Sequence, residues 1–172
     1  MARSGATAGL ASLLAALAAC GLSTPAEPAG PAPVQVSVAG MRFALASGAA
    51  RSAGGVLVLY LSDQVDTCLA VQQVPVGTMH LLALQVAPAA DGTTAAAVVA
   101  PVRPAPAAGE AQGRLTESTG GAVARTLETA GGSVAWTPAA DGSVAVHALD
   151  LGFAGTADRL TAGAALRLAA CP

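Results

Sequence analysis

Few side chains of this sequence have a type and a spacing suited to chemistry. His80 and His147 are the only histidines, they lie far apart in the chain, and neither has a Cys or His partner at the spacing of a metal site. Asp63 and Asp66 follow an apolar run and could hold a cation or act as an acid–base pair, but carboxylates there more often cap a helix or a turn. No nucleotide-binding, metalloprotease or serine-hydrolase motif occurs. The sequence therefore predicts a protein that is not an enzyme, with no catalytic residue, no metal and no cofactor.

The three cysteines carry more information, and Cys20 carries the most. It ends the tetrapeptide Leu17-Ala18-Ala19-Cys20, which resembles the lipobox of bacterial lipoprotein precursors, where the cysteine is acylated and becomes the mature N-terminus. Arg3 and the apolar stretch 6–19 are typical of a cleaved export signal, since crossing a bilayer takes about 20 residues and this stretch is shorter. The resemblance implies an acyl chain such as palmitate on Cys20, with membrane lipid as its partner. Ordinary secretory cleavage, with Cys20 left as a thiol, is the alternative.

The segments on either side of Cys20 predict where the protein resides. Residues 1–19 are expected to be the signal peptide, and residues 20–33 hold four prolines, which disfavour a helix or a central strand and favour an extended tether. Gly21 stands where the lipoprotein sorting rules of some bacteria place Asp for retention in the inner membrane. The resemblance therefore implies a protein of the cell envelope, anchored in the outer rather than the inner membrane. Whether it faces the periplasm or the surface stays open.

The remaining two cysteines predict a disulfide bond. Once Cys20 is acylated, Cys68 and Cys171 are the only thiols left, and paired thiols in an exported, oxidising setting are usually oxidised. Closing a loop of about 100 residues stabilises the fold by roughly 4.7 kcal/mol in the chain-entropy model, less any strain. Two free buried thiols are the alternative.

Composition excludes one further class of function. The chain has no Lys, Ile or Asn, a single Tyr and a single Trp, and Ala at about a quarter of its positions, a pattern typical of a GC-rich genome. Removal of residues 1–19 leaves seven Arg against ten acidic residues, a formal charge of −3. Nucleic-acid binding needs a basic patch with aromatic side chains, so no nucleic-acid partner is expected. Residues 34–172 suit one domain rather than two.

From residue 34 onward the apolar residues recur with a period of two more often than 3.6, which indicates β-strands. Alternation marks 34–38, 41–45 and 79–86, with His80 on the apolar face of the last. The run 55–61 is apolar on both faces and suits a central, covered strand. These runs predict an all-β fold, a single antiparallel β-sandwich of seven to nine strands.

Turns and loops support the same fold. Two identical segments, 88–92 and 138–142, read Pro-Ala-Ala-Asp-Gly and predict tight turns. After the second, the apolar face switches from even to odd positions, which predicts a β-bulge near His147–Ala148. The Pro-rich stretch Pro101–Gly113 predicts a long polar loop. The lone Tyr60 and Trp136, too few to line a sugar groove, are expected in the core.

The C-terminal third also resembles small uncharacterised bacterial lipoproteins. In these proteins a Gly-Ser/Thr-Val strand leads to an apolar-Asp-apolar strand and then to a last strand that closes with Cys. The matching segments here are Gly132-Ser133-Val134, Leu149-Asp150-Leu151 and Leu166 to Cys171. This resemblance implies no activity.

Three functions remain. The first is a lipid-anchored envelope protein with a binding or structural role, and the absence of a catalytic signature favours it. The second is a small envelope hydrolase or metal-dependent enzyme using His80, His147 and acidic residues, which a cluster of both histidines with Asp63 or Asp66 would favour. The third is an inhibitor or assembly factor of an envelope complex, with an envelope protein as partner, which a protruding loop at Pro101–Gly113 would favour. On the first view, we expect that Gln can replace both histidines while the fold and the function are kept.

Overall fold

Eleven strands and one short helix make up the part of the chain that the structure describes. Their bounds are β1 Val34–Val38, β2 Met41–Leu45, β3 Ser47–Ala53, β4 Val56–Ser62, α1 Thr67–Gln72, β5 Thr78–Val86, β6 Ala96–Val99, β7 Glu110–Thr119, β8 Ala122–Pro138, β9 Val144–Phe153, β10 Arg159–Ala162 and β11 Leu166–Ala170. In β2 and β5, buried residues alternate with more exposed ones along most of the strand. This is the period-two pattern that the sequence carries.

The computed structural model describes residues 33–73, 76–89, 96–163 and 166–171, all within the unit Pro31–Pro172. The expected signal peptide, Cys20 and the tether up to residue 32 lie outside the described residues, as does most of the first Pro-Ala-Ala-Asp-Gly segment. No helix in the described ranges combines the length and the apolar character that a membrane crossing requires.

The strand pairings of the large sheet close into a ring. Strand β8 is long enough to pair with β7 along residues 122–128 and with β9 along residues 129–138. From β9 the pairing continues through β11, β3, β4 and β5 and returns to β7. Strand β6 pairs with both β7 and β8, and β10 pairs with the end of β9. A closed ring leaves few unpaired sheet edges.

Opposite arcs of this ring face each other across one apolar core, as the two layers of a sandwich do. Core residues less than 2% exposed come from both arcs and include Leu59, Leu84, Leu115, Val134, Val146 and Leu168. The separate two-stranded sheet of β1 and β2 adds Val38 and Phe43 to the same cluster. Burying a side chain of this size stabilises a fold by about 1.5–3 kcal/mol. The all-β prediction is confirmed.

The sheet is mixed, which corrects the prediction of purely antiparallel pairing. Strand β11 runs parallel to β3, with Ala169 beside Ala49, and β6 runs parallel to β7, with Val98 beside Glu110. Neither pair is joined by a direct turn, so nothing in the connections forces the strands to be antiparallel. The strand count is also higher than seven to nine, because residues 47–53, where no strand was expected, form β3, and the last apolar stretch forms two strands, β10 and β11.

Two local features match the sequence. The turn at 138–142 joins β8 to β9, with Gly142 at φ +79° and the Ala139 N–H donating to the Ser143 carbonyl at 2.8 Å. In the following ladder Ala135 is opposite Ala148 and Trp136 is opposite Val146, so His147 is the extra residue of a bulge. The bulge lets the side chains that face the core change from even to odd positions along β9. Trp136 is buried as expected.

Three expectations near the middle of the chain need correction. Strand β4 is central, between β3 and β5, but only one of its faces meets the core, and Val58 and Tyr60 on the other face are half-buried. Tyr60 is therefore not a core residue. The loop expected at Pro101–Gly113 ends at residue 109, because residues 110–113 belong to β7, where residue 110 pairs with β6 and residues 111–113 pair with β5.

Candidate functional site

The structure pairs His80 with Asp63, where β4 ends and β5 begins. The imidazole Nδ1 donates to Asp63 Oδ2 at 2.7 Å, and the His80 backbone N–H donates to Oδ1 at 3.0 Å. The ring also stacks on Phe43, with centroids 4.3 Å apart, and His80 is only 8% exposed. These contacts hold the ring against the β1–β2 sheet, so we expect His80 to contribute to stability.

The serine next to this pair belongs to a different cluster. Side chains alternate between faces along a strand, so Ser62 and Asp63 point in opposite directions. Ser62 Oγ lies 2.8 Å from Thr67 Oγ1, and the Thr67 hydroxyl lies 2.5 Å from Ser47 Oγ. The three hydroxyls form a hydrogen-bonded chain, in which Ser47 Oγ also donates to the Gln64 carbonyl at 2.8 Å. The His80–Asp63 pair is therefore not joined by a hydrogen bond from Ser62 to the imidazole.

The other sequence candidates lie apart from His80. Asp66 caps helix α1, since its Oδ1 accepts from the Leu69 backbone N–H at 3.0 Å. His147 is exposed in the bulge of β9, where its Nε2 lies 2.8 Å from Thr137 Oγ1. Thus His80 meets Asp63, but His147 and Asp66 have other partners. Among the described residues, no group of three or more His, Cys, Asp or Glu could hold a metal ion.

The predicted disulfide bond between Cys68 and Cys171 is present. It links helix α1 to the residue after β11, and the Cys171 backbone N–H donates to the Ala50 carbonyl at 3.0 Å. The bond therefore fastens the C-terminus beside the short parallel seam of β3 and β11.

A cleft of about 600 Å³ lies on the outer face of the sheet, opposite the core. Strand register builds its floor: Tyr60 lies beside Ala83, Ala83 beside Arg114, and Arg114 beside Glu128. These four residues come from β4, β5, β7 and β8 and form one row. Ala83 is the smallest of them, which leaves room above the middle of the row.

A second row and a loop complete the cleft. Val58, Gln85 and Gln112 are neighbours in register, and residues 102–104 of the loop before β7 line the cleft beside them. Gln112 is 3% exposed, and its amide joins this loop to the sheet. Its Oε1 accepts from the Arg103 N–H at 3.0 Å, and its Nε2 donates to the Arg103 carbonyl at 2.7 Å. The loop therefore lies fixed against the sheet and does not protrude.

Ion pairs orient both arginines that line the cleft. Arg114 Nε and Nη2 each lie 3.0 Å from Glu128 Oε1. Arg103 pairs with Glu110 and donates from Nε to the Ala105 carbonyl at 3.2 Å. The cleft thus combines apolar surface from Val58, Tyr60 and Ala83 with ion-paired and amide groups held in place.

Sequence reasoning did not find this cleft. Its side chains come from four strands and a loop, and they meet only through the register. One signal was present: Gln85 interrupts the apolar run of β5, and Gln112 and Arg114 occupy alternate positions of β7. Such polar positions mark the face turned away from the core, but they do not say which strands become neighbours.

Comparisons with known proteins gave no significant match to any family model, any curated protein or any solved structure.

Proposed function

We propose that this protein is a lipid-anchored component of the bacterial cell envelope that acts by binding, and that the cleft above Tyr60 and Ala83 is its binding site. The cleft carries the proposal. Its volume of about 600 Å³ lies in the range of small-molecule sites, which combine an apolar lining with a few polar groups held in fixed positions. Arg103, Arg114 and Gln112 are such groups.

Two features support the anchored, exported part of the proposal. The tetrapeptide ending at Cys20 resembles a lipobox, and the apolar stretch before it has the length of a cleaved signal. The Cys68–Cys171 disulfide is typical of proteins outside the cytosol. Gly21 in place of Asp favours the outer membrane over the inner one.

The hydrolase is the second candidate, and the His80–Asp63 pair is the observation in its favour. It ranks second because His147 bonds with Thr137 and because Ser62 bonds with Thr67, so neither joins the imidazole. The assembly-factor hypothesis would gain from a protruding loop, whereas residues 102–104 lie against the sheet.

Membrane fractionation tests the anchor. We expect wild-type protein to partition with membranes and to carry a mass increase from acylation at Cys20. The Cys20→Ser variant should be released or stay unprocessed. Membrane partition and a mature mass that are the same for both proteins would contradict the anchor.

Photo-crosslinking in intact cells tests the binding site. A benzophenone amino acid replacing Pro104 would stand at the rim of the cleft, and the same residue replacing Val98, which is 66% exposed on β6 and does not line the cleft, is the control. We expect a specific mass increase on the protein labelled at 104 that the protein labelled at 98 lacks. Equal labelling, or labelling at neither position, would contradict the cleft as the site.

A further inference from the structure

The hydrogen-bonding groups that the cleft leaves available are mainly donors. Arg114 uses Nε and Nη2 on Glu128, and Arg103 uses Nε and Nη2 on Ala105 and Glu110, so each guanidinium keeps its Nη1 group. Gln85 accepts through Oε1 from Gln112 at 3.3 Å and keeps its amide N–H groups. A guanidinium has five N–H donors and no acceptor. A ligand that fits these groups must present acceptor oxygens.

The charges at the cleft are those of two ion pairs. Arg114 pairs with Glu128 and Arg103 pairs with Glu110, so the four side chains together carry no net charge. Each guanidinium still keeps its Nη1 group beyond the ion pair, and a hydrogen bond from a charged donor is stronger to an anionic acceptor than to a neutral one.

Most of the remaining lining residues are apolar, and they indicate what the rest of the ligand should be. Val58, Ala83, Val102, Pro104 and the ring of Tyr60 form apolar surface next to the two guanidinium groups. A bare inorganic anion would leave this surface uncovered, and an uncharged apolar compound would leave the donors without acceptors.

We propose that the cleft binds an organic carboxylate, with its oxygens on the free Nη1 groups of Arg103 and Arg114 and its apolar body over Val58, Ala83 and the Tyr60 ring. This inference rests on the proposed binding function and names the ligand class. Each Nη1 group can donate one charge-assisted hydrogen bond to a carboxylate oxygen, and the existing ion pairs fix both guanidinium groups before the ligand arrives. A preorganised site loses less conformational freedom on binding.

Tyr60 provides a reporter for this site because it is the only tyrosine in the chain. Protein labelled with ¹³C at the tyrosine ring gives NMR signals from the cleft alone. Trp136, the only tryptophan, is buried in the core, so its fluorescence reports independently on the fold.

The experiment compares 4-phenylbutyrate with 4-phenylbutanamide, which has the same shape and no charge. We expect the acid to shift the Tyr60 signals saturably and the amide to bind at least about tenfold more weakly. Arg114→Gln should weaken binding of the acid by about tenfold and leave binding of the amide unchanged. Arg167→Gln, which removes an exposed ion pair on β11 instead, should change neither.

Different failures have different meanings. Equal affinities for acid and amide would overturn the carboxylate inference and leave the cleft as a binding site for neutral ligands. An equal loss for both compounds in Arg114→Gln would overturn the inference that the carboxylate binds Arg114, because the arginine would then act through packing alone. If neither compound shifts the Tyr60 signals while Trp136 reports a native fold, the inference is wrong, and the crosslinking at position 104 decides separately whether the cleft binds anything.

Discussion

At the scale of residues, buried polar side chains act as connectors in this fold. Gln112 joins the 102–104 loop to the sheet, and Thr129, 1% exposed, accepts from the Gly113 N–H at 2.9 Å and donates to the Ala100 carbonyl at 3.0 Å. A buried polar group left without a partner costs about 1–3 kcal/mol. Gln112 and Thr129 therefore fix the positions of the backbone segments that they contact, and they also add stability. His80 belongs to the same class.

Substitution of His80 tests that view. The sequence predicts that the fold survives His80→Gln, and the contacts of His80 add that it survives with less stability. We predict a free energy of unfolding lower by about 1–3 kcal/mol, because the substitution removes the stacking on Phe43 and the bond to Asp63. Urea unfolding followed by Trp136 fluorescence measures the loss. The matched control is His147→Gln, which should be nearly neutral because His147 is exposed. Equal stability of both variants would show that the His80 contacts contribute nothing.

Two exposed aspartates differ in what lowers their pKa. The hydrogen bond from Arg159 holds the pKa of Asp150 below its ordinary value, whereas hydrogen bonds from Ser143 are the main cause of the lowered pKa of Asp141. We predict that Arg159→Gln raises the pKa of Asp150 and that Ser143→Ala raises the pKa of Asp141. Carboxyl ¹³C titration measures both. An unchanged pKa of Asp141 in Ser143→Ala would contradict the assignment.

The sign of the stability effect follows from the direction of the shift. A carboxylate with a lowered folded-state pKa stabilises the fold above its ordinary pKa, and this contribution disappears as the pH falls through the lowered value. The stability difference between wild type and Arg159→Gln should therefore be present at neutral pH and absent in strong acid. Because both groups are exposed, the difference is small.

At the scale of elements, the close approach of β8 and β9 depends on one glycine. Gly132 has φ +127°, and a Cβ placed there would lie 1.9 Å from the Asp150 carbonyl oxygen. Its neighbour Gly131 has no atom within 4 Å of such a Cβ and no positive φ. The two positions are a natural matched pair for substitution.

We predict that Gly132→Ala destabilises the fold by about 3 kcal/mol or more, because strand β9 must move away or the backbone must change conformation. Gly131→Ala should change stability by less than about 1 kcal/mol. Thermal unfolding of both variants measures the difference. A Gly132→Ala variant as stable as Gly131→Ala would contradict the close approach of the strands.

The disulfide fixes another element, the C-terminal end after β11. Only two residue pairs join β11 to β3, so this seam has little pairing of its own. We predict that replacing Cys68 and Cys171 together by Ala lowers the free energy of unfolding by about 2–4 kcal/mol, since the bond closes a loop across 103 positions. Denaturant unfolding measures the change. An unchanged unfolding midpoint would contradict a stabilising role.

The strands could be predicted from the sequence because their signal is local. Alternation over a few residues identifies a strand and its buried face, and the switch of parity after Val146 identified the bulge at His147. The closed ring could not be predicted, because it depends on which distant strands pair, as when residues 122–128 and 129–138 of one strand take different partners. The parallel pairing of β3 with β11 could not be predicted for the same reason.

The candidate site could not be predicted from the sequence for a related reason. Gln85 and Gln112 are far apart in the chain and meet only because β5 pairs with β7. Single polar residues on a half-buried face resemble any solvated strand surface. The disulfide could be predicted because it follows from counting thiols in a chain that is expected to be exported. The sequence also placed His80 on the apolar face, but it gave no indication that Asp63 would bind it.

At the scale of the whole molecule, we propose that Cys20 is the membrane anchor, that residues 20–33 are the tether, and that the domain presents the cleft above Tyr60 and Ala83 as its binding site. The tether is the expected link between membrane and domain. Binding sites on a rigid scaffold need little reorganisation, and the loop bearing Arg103 is fixed to the sheet by Gln112. The function then depends on the cleft remaining open.

The most direct measurement is complementation of a deletion strain by a protein whose cleft is filled. Ala83→Phe places a ring in the middle of the cleft floor, whereas Ala124→Phe places the same ring on an exposed part of β8 that does not line the cleft. Both variants should fold, as Trp136 fluorescence reports, and partition with membranes. We predict that Ala124→Phe restores the wild-type phenotype and Ala83→Phe does not. Full complementation by a folded, membrane-bound Ala83→Phe protein would contradict the cleft as the functional site.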